Sequence, residues 1–311
     1  MKWRKIIFGG RGAAVCAVGV IAVLAVALAG CHVTRPYQRA AGAGGPTLYR
    51  DTTISDTTTI ASMPWQQFFT DSLLRVLIDE GLRNNLDLKI AVERVHEAAA
   101  NFRQSRLAFF PSLGADAQGA LSKQGSAAAT HNYEVFLNSS WQVDIWGKLR
   151  STRRAQMAAL LQSDAFRRDV QTQLVANIAT NYYALVALDE QMKITLQTVE
   201  NRKEDVTTTQ ALKNADVLTG AAVMQSQAGL YTVETTIPEI HQTIRQMENT
   251  LSFLLGRAPG PIARDSLGDQ EVATDLRMGL PAQLLANRPD VQEAEFQLRN
   301  SAELTNVART N

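Results

Sequence analysis

The spacing of apolar residues changes several times along the chain, and each change marks an element. Residues 13–29 are a continuous acid-free apolar run, and residues 31–62 follow with no sustained period and much Thr, Gly, Ala and Pro. From Trp65 the apolar positions Phe68, Phe69, Leu73, Leu74, Leu77, Ile78 and Leu82 fall at helical steps. A short helix is predicted there, capped by Asp71 and broken at Asn84-Asn85. Leu88, Ala91, Val92, Val95, Ala98, Ala99 and Phe102 continue the three- and four-residue steps, predicting a second helix that Pro111 ends. Beyond Pro111 the period becomes two. Leu113, Ala115, Ala117, Gly119 and Leu121 alternate with polar residues, and after a Gly/Ser/Ala-rich connection Tyr133, Val135, Leu137, Ser139, Trp141, Val143 and Ile145 do the same. A hairpin with one apolar and one polar face follows, which suits either a transmembrane barrel or a soluble sheet packed on one side.

Residues 148–214 contain no proline or glycine and carry an apolar series from Ala155 to Val199, so one very long helix is expected. A second is expected over 217–255, bent at Pro238 and stopped by Gly256, Pro259 and Pro261. At 1.5 Å per residue, about 65 residues reach roughly 100 Å, too far for a globular domain. The helix before the strands, about 26 residues, and the one after the long helix, about 39, together match that length, so two shorter helices stacked end to end can lie along one long partner.

Lys2, Arg4, Lys5 and Arg11 precede the apolar run, as in a targeting segment, and the run ends in Leu28-Ala29-Gly30-Cys31. This sequence resembles the lipobox of bacterial lipoproteins, which implies that Cys31 becomes the first mature residue and carries the lipid. His32 stands where an aspartate would favour inner-membrane retention, so the resemblance points to the outer membrane. Cys16, the other cysteine, lies in the segment to be removed, leaving no thiol for a disulfide, a metal site or a nucleophile. That removal takes four basic and no acidic residues from the 31 and 30 present, and the acidic balance left does not suggest a nucleic-acid partner.

Residues 84–91, Asn-Asn-Leu-Asp-Leu-Lys-Ile-Ala, recur in outline as residues 287–294, Asn-Arg-Pro-Asp-Val-Gln-Glu-Ala, and Val95 and Ala99 map onto Leu298 and Ala302. Such long-period similarity signals a duplicated unit. Together with residues 65–71, 85–88, 140–148 (Ser-Trp-Gln-Val-Asp-Ile-Trp-Gly-Lys), 254–256, Leu280-Pro281, 288–290 and Ala294-Glu295, the chain resembles the TolC-like outer-membrane efflux factors. The similarity is greatest to the lipoprotein (NodT-type) branch serving resistance-nodulation-division pumps, and it runs from the lipobox to the last residue.

The resemblance implies a mixed, mainly α fold: a long periplasmic helical hairpin forming part of an α-barrel, a β-hairpin contributing to a transmembrane β-barrel, and an incomplete second repeat. The organisation expected is a signal peptide (1–30), a lipidated tether (31–62), the first helices of repeat 1 (63–110), the transmembrane hairpin (111–147), the long helical hairpin (148–258), an inter-repeat linker (259–279) and the start of repeat 2 (280–311). A homotrimer is implied, anchored in outer-membrane lipid and joined through a periplasmic adaptor to an inner-membrane transporter. The turn Ala215, Asp216, Val217, Leu218 and Thr219 corresponds to the tip that meets the adaptor, with Asp216 where the family usually has glycine. At the 203-residue offset the sequence ends just before the second copy of the Pro111 break, so a fragment or truncated product is expected, and residues of the family's aperture cannot be carried over.

Other readings share some of these features. Type I secretion is the alternative within the family, and a structural coiled-coil lipoprotein would share the anchor and long helices without needing the hairpin. An enzyme is not expected, and no cofactor or metal is implied. His32, His96, His131 and His241 lie on unrelated segments without ligand spacing, and Asp189-Glu190 and Glu204-Asp205 suit solvated charge on a helix. The basic group Lys148, Arg150, Arg153 and Arg154 suits either lipid headgroups or a solvated helix start.

Overall fold

The computed structural model describes residues 33–39, 64–126, 128–270 and 287–310. In chain order the elements are α1 (Trp65–Phe68), α2 (Ser72–Asn84), α3 (Leu86–Leu107), β1 (Ser112–Ser122), β2 (Thr130–Ser140), α4 (Lys148–Asn214), α5 (Gly220–Glu234), α6 (Thr236–Leu254), a 3₁₀ turn at Leu267–Asp269 and α7 (Pro289–Arg309). The mainly helical fold expected is present, with one two-stranded sheet among the described residues. α3 and α7 start at Leu86 and Pro289, the 203-residue offset of the sequence repeat.

The described residues divide into two compact units, one containing 33–39, 96–126, 128–162 and 294–310, the other 64–95, 163–270 and 287–293. The second unit is a helical core. Asp71 caps α2 through its Oδ1, which accepts from the N–H groups of Leu73 (2.8 Å) and Leu74 (3.1 Å). Leu74, Leu77 and Ile78 of α2 then pack with Leu174, Val175, Ile178, Tyr182, Leu185 and Val186 of α4, and with Leu251, Leu255 and Ile262. Full burial of one such aliphatic side chain contributes about 1.5–3 kcal/mol. α2 approaches α4 closely at Gly81, where a β-carbon would stand 2.5 Å from Ile178 Cδ1. Asn85 breaks α2 from α3 and ties the break to α6. Its Oδ1 accepts from Leu88 N at 2.9 Å, while its Nδ2 donates to Leu254 O at 2.9 Å.

Two polar clusters close this core. Arg264 donates to both carboxylate oxygens of Asp189 on α4 and to Glu248 Oε1 on α6 at 2.8 Å. The Asp189 hydrogen bonds hold its guanidinium above the ordinary pKa against burial, and Glu248 adds to them. Asp189, with its side chain still partly in solvent, is the partner of Arg264, and its neighbour Glu190 bonds Lys193. Tyr182, fully buried, donates to Asp71 Oδ2 at 2.5 Å, which also accepts from Gln270 Nε2 at 3.0 Å. Burial would raise the Asp71 pKa, but the hydrogen bonds from Tyr182, Leu74, Gln270 and Leu73 outweigh it and hold the carboxyl below its usual value.

α4 is unbroken over 67 residues. Many of its threonines, among them Thr152, Thr172, Thr195, Thr198 and Thr207, donate their hydroxyls to the carbonyl four residues back. The returning helix differs from the bent rod expected. It begins at Gly220 instead of Val217, and it divides at Thr235 into α5 and α6, with Pro238 inside the first turn of α6. Proline has no N–H to offer the carbonyl of Glu234 and its ring crowds that carbonyl, so the interruption falls upstream of the ring.

The hairpin departs from expectation at its end. β2 stops at Ser140, whereas the alternation continues to Ile145. Asp144 explains the stop: its carboxylate accepts from the N–H groups of Leu149 and Arg150, both at 3.0 Å, and so caps α4. Residues 141–147 thus form a corner, held also by the Trp141 Nε1 hydrogen bond to Phe109 O at 3.1 Å. The segment 33–39, part of the tether expected from the sequence, is bonded to α7. The signal segment and Cys31 lie outside the described residues, as do most of the tether, residues 271–279 of the linker and 280–286 of the second repeat.

Candidate channel surfaces

In the antiparallel register Ser112 faces Ser140, Ala117 faces Val135 and Ser122 faces Thr130, so side chains sort by parity. One face carries Leu113, Ala115, Ala117, Gly119 and Leu121 against Ser139, Leu137, Val135, Tyr133 and His131. Leu113 (86% exposed) and Leu137 (84%) represent it, and Tyr133, Val135 and Leu121 are also bare. Gly119 lies under the Tyr133 ring, which fills the space its missing side chain leaves.

The opposite face is a hydrogen-bonded polar sheet. Gln118 Nε2 donates to Glu134 Oε2 at 2.6 Å, Asn132 to Glu134 Oε1 at 3.1 Å, Asn138 to Asp116 Oδ2 at 2.7 Å, and the Ser112 and Ser140 hydroxyls lie 2.8 Å apart. Phe136 and Ala120 are the apolar exceptions on this face. Within the described residues β1 and β2 pair only with each other, so each also presents an unpaired edge. A two-stranded ribbon bare on its apolar face and open at both edges is marginal by itself in water and gains stability from further strands or from a cover on that face.

The turn between α4 and α5 is exposed throughout. Ala215 ends α4 and Asp216 adopts a left-handed φ of 59°. Val217 N donates to Leu212 O and Asp216 N to Lys213 O, both at 3.0 Å, which is the Schellman pattern. The conformation required here is the one glycine supplies, so Asp216 replaces the residue while keeping the backbone; aspartate is among the few side chains that tolerate it. Val217 and Leu218 project from the turn, 66% and 38% exposed, and Thr219 precedes α5.

The basic group at the start of α4 is dispersed by its partners. Arg150 pairs with Asp144 at 3.0 Å, Arg153 lies over the Phe109 ring at 5.6 Å, and Arg154 pairs with the buried Glu303 at 2.9 Å. Three of the four basic residues that the sequence suggests for headgroups or for a solvated helix start are thus held in local ties. His96, His131 and His241 lie on α3, β2 and α6, and among the described residues no group of His, Cys, Asp and Glu could hold a metal. Sequence reasoning missed the Arg264 cluster and the Asn306 bonds to Arg35, because their partners lie 75 and 271 residues away and no spacing rule connects them.

A hairpin amphipathic on its two faces leads through the 141–147 corner into one helix of 67 residues, which the turn at Asp216 joins to α5. The family described as "Outer membrane efflux protein" matches residues 77–257, and the chain belongs to that family. It is 30% identical over 294 residues to the probable efflux pump outer membrane protein TtgC of Pseudomonas putida, covering 90% of this chain and 60% of TtgC. The cation efflux system protein CusC of Escherichia coli K12 is 29% identical over 284 residues, covering 88% of this chain and 61% of CusC. The solved outer-membrane channel OprN superposes with a TM-score of 0.75 at 25% identity, covering 89% of this chain and 64% of OprN. The chain thus spans about 60% of the length of these curated relatives.

Proposed function

We propose that the chain is a subunit of an outer-membrane channel in a tripartite efflux system, conducting small molecules such as drugs or metal ions passively from a periplasmic pump to the exterior. The observation that carries this reading is the hairpin, whose exposed apolar face and hydrogen-bonded polar face suit lipid on one side and a water-filled lumen on the other. The efflux names of TtgC and CusC support it. In this reading the assembly is a homotrimer, Cys31 carries the lipid, and Ala215, Asp216, Val217, Leu218 and Thr219 meet a periplasmic adaptor beneath an inner-membrane transporter. The exposed Val217 and Leu218 supply an apolar contact, and the turn performs no covalent chemistry. The chain's role is conduction, so no residue is assigned to catalysis.

The test is purification from outer membranes in mild detergent, with intact mass, oligomeric state and planar-bilayer conductance read on the same sample. An acylated oligomer that conducts ions supports the channel; an acylated protein that is monomeric and silent refutes the claim that this chain forms the pore by itself.

A further inference from the structure

The run of helices is interrupted at Asn85, between α2 and α3, and again at Thr235, between α5 and α6, and the two interruptions are built differently. Asn85 is buried and extended (φ −56°, ψ 131°), and its side chain bonds Leu88 N ahead of it and Leu254 O on α6. Such a corner is locked. Thr235 is exposed and keeps right-handed helical angles (φ −66°, ψ −19°). What is lost there is hydrogen bonding, because Pro238 has no N–H for the Glu234 carbonyl. Three hydroxyls stitch the turn at 2.8 Å each: Thr232 donates to Ala228 O, Thr235 to Thr232 O and Thr236 to Val233 O. All three bonds reach back along α5, and none of them ties the break to α4 or to the core.

The helices on either side of this break are held unequally. α6 buries Ile240, Leu251 and Ser252, and Arg264 joins its Glu248 to Asp189 of α4. α5 buries Val223 alone among its 15 residues. In the α4 stretch beyond Asp189 the polar side chains bond along α4 itself, Lys193 to Glu190, Lys203 to Glu200, Arg202 to Asp205 and Gln210 to Asn214. α6 thus belongs to the core, whereas α5, which carries the tip turn, has few ties.

We infer that residues 235–238 are a hinge, at which α5 and the tip turn change their angle to α6 while α6 stays fixed to the core. Helical dihedrals at Thr235 leave room for small changes without a steric barrier, and the missing amide removes the bond that would oppose bending. The hydroxyls follow their carbonyls as the turn opens, so those carbonyls keep a donor. α4, unbroken alongside, follows by the gentle curvature that a long helix allows. The lever is long: 15 residues of α5 span about 22 Å, so a bend of about 10° carries the tip turn about 4 Å. The hinge stands on the chain's own bonding, apart from the channel reading; in a channel it would give the turn 215–219 a range of angles toward its partner.

The test measures spin-label distances in the full chain in detergent micelles, with the labels on p-acetylphenylalanine so that no cysteine reacts. One pair of labels stands at Gln225 and Gln242, 17 residues apart across the break, and a reference pair at Thr180 and Gln197, equally spaced on unbroken α4; all four positions are exposed. Each labelled chain is co-expressed with an excess of unlabelled chain, so that distances are read within one molecule. The pair across the break is expected to give a distance distribution about twice as wide as the reference pair, and Pro238→Ala, which restores the amide, to narrow it to the reference width. Equal widths for the two pairs in the native chain overturn the inference. So does a wide distribution that Pro238→Ala leaves unchanged, since the motion would then lie elsewhere in α5.

Discussion

The helical core and the β-hairpin use the same kinds of apolar residue to opposite ends. Leu74, Leu251 and Leu255 are fully buried among neighbours from the same chain, while Leu113 and Leu137 of the hairpin touch almost nothing. Within the core two polar breaks are also answered, Asn85 by α3 and α6, Arg264 by Asp189 and Glu248. The hairpin answers its own polar groups on one face only. The core is a finished piece of folding; the hairpin is finished by what surrounds it.

Leu251→Ala should break the core most severely, with a loss of about 3 kcal/mol in urea unfolding, because a fully buried leucine leaves both a transfer term and a cavity. Leu137→Ala should leave the same unfolding curve unmoved, and a comparable loss there would mean that the hairpin packs on the chain after all. In a bilayer the contrast should reverse. Leu137→Lys is expected to cost about 2 kcal/mol of membrane insertion, read by protease protection of the 123–129 loop, whereas Gln118→Lys on the polar face should insert normally.

Acid should act on the core through Asp71. Its carboxyl is held below the usual value in the folded protein, so its contribution is complete above about pH 4 and is lost as the pH falls through the lowered folded value. Stability should therefore decline more steeply with acid in the native chain than in Asp71→Asn, and parallel pH profiles would remove Asp71 from the account. The smallest effect belongs to the tip. Asp216→Gly should raise the melting temperature slightly, by about 0.5 kcal/mol of added stability, since glycine adopts the left-handed turn without strain. Gly256→Ala at the matching cap of α6 should lower it, because a β-carbon there meets Asn84 O at 2.7 Å.

Much of this was legible along the sequence, for reasons that are local. α4 follows from 67 residues without a helix breaker, and the two faces of the hairpin follow from a period of two. The Asp71 cap announces itself by standing one residue before a helical apolar series. The end of β2 was not legible, because alternation continues through Val143 and Ile145 while Asp144 turns to cap α4. Neither was the left-handed turn at Asp216, which the sequence marks only as a departure from glycine. Arg264 and Asn306 act through partners brought close by the fold, and a one-dimensional pattern holds no trace of such pairs.

The threonines of α4 carry a consequence for whatever lies against that helix. A hydroxyl whose proton is engaged with the preceding turn has no donor left for a neighbour, as at Thr195, Thr198 and Thr207. The surface offered at those positions is a methyl group and an oxygen that can only accept. Along such a helix threonine behaves as a valine that water still wets, able to meet a donor on a neighbour but never to offer one.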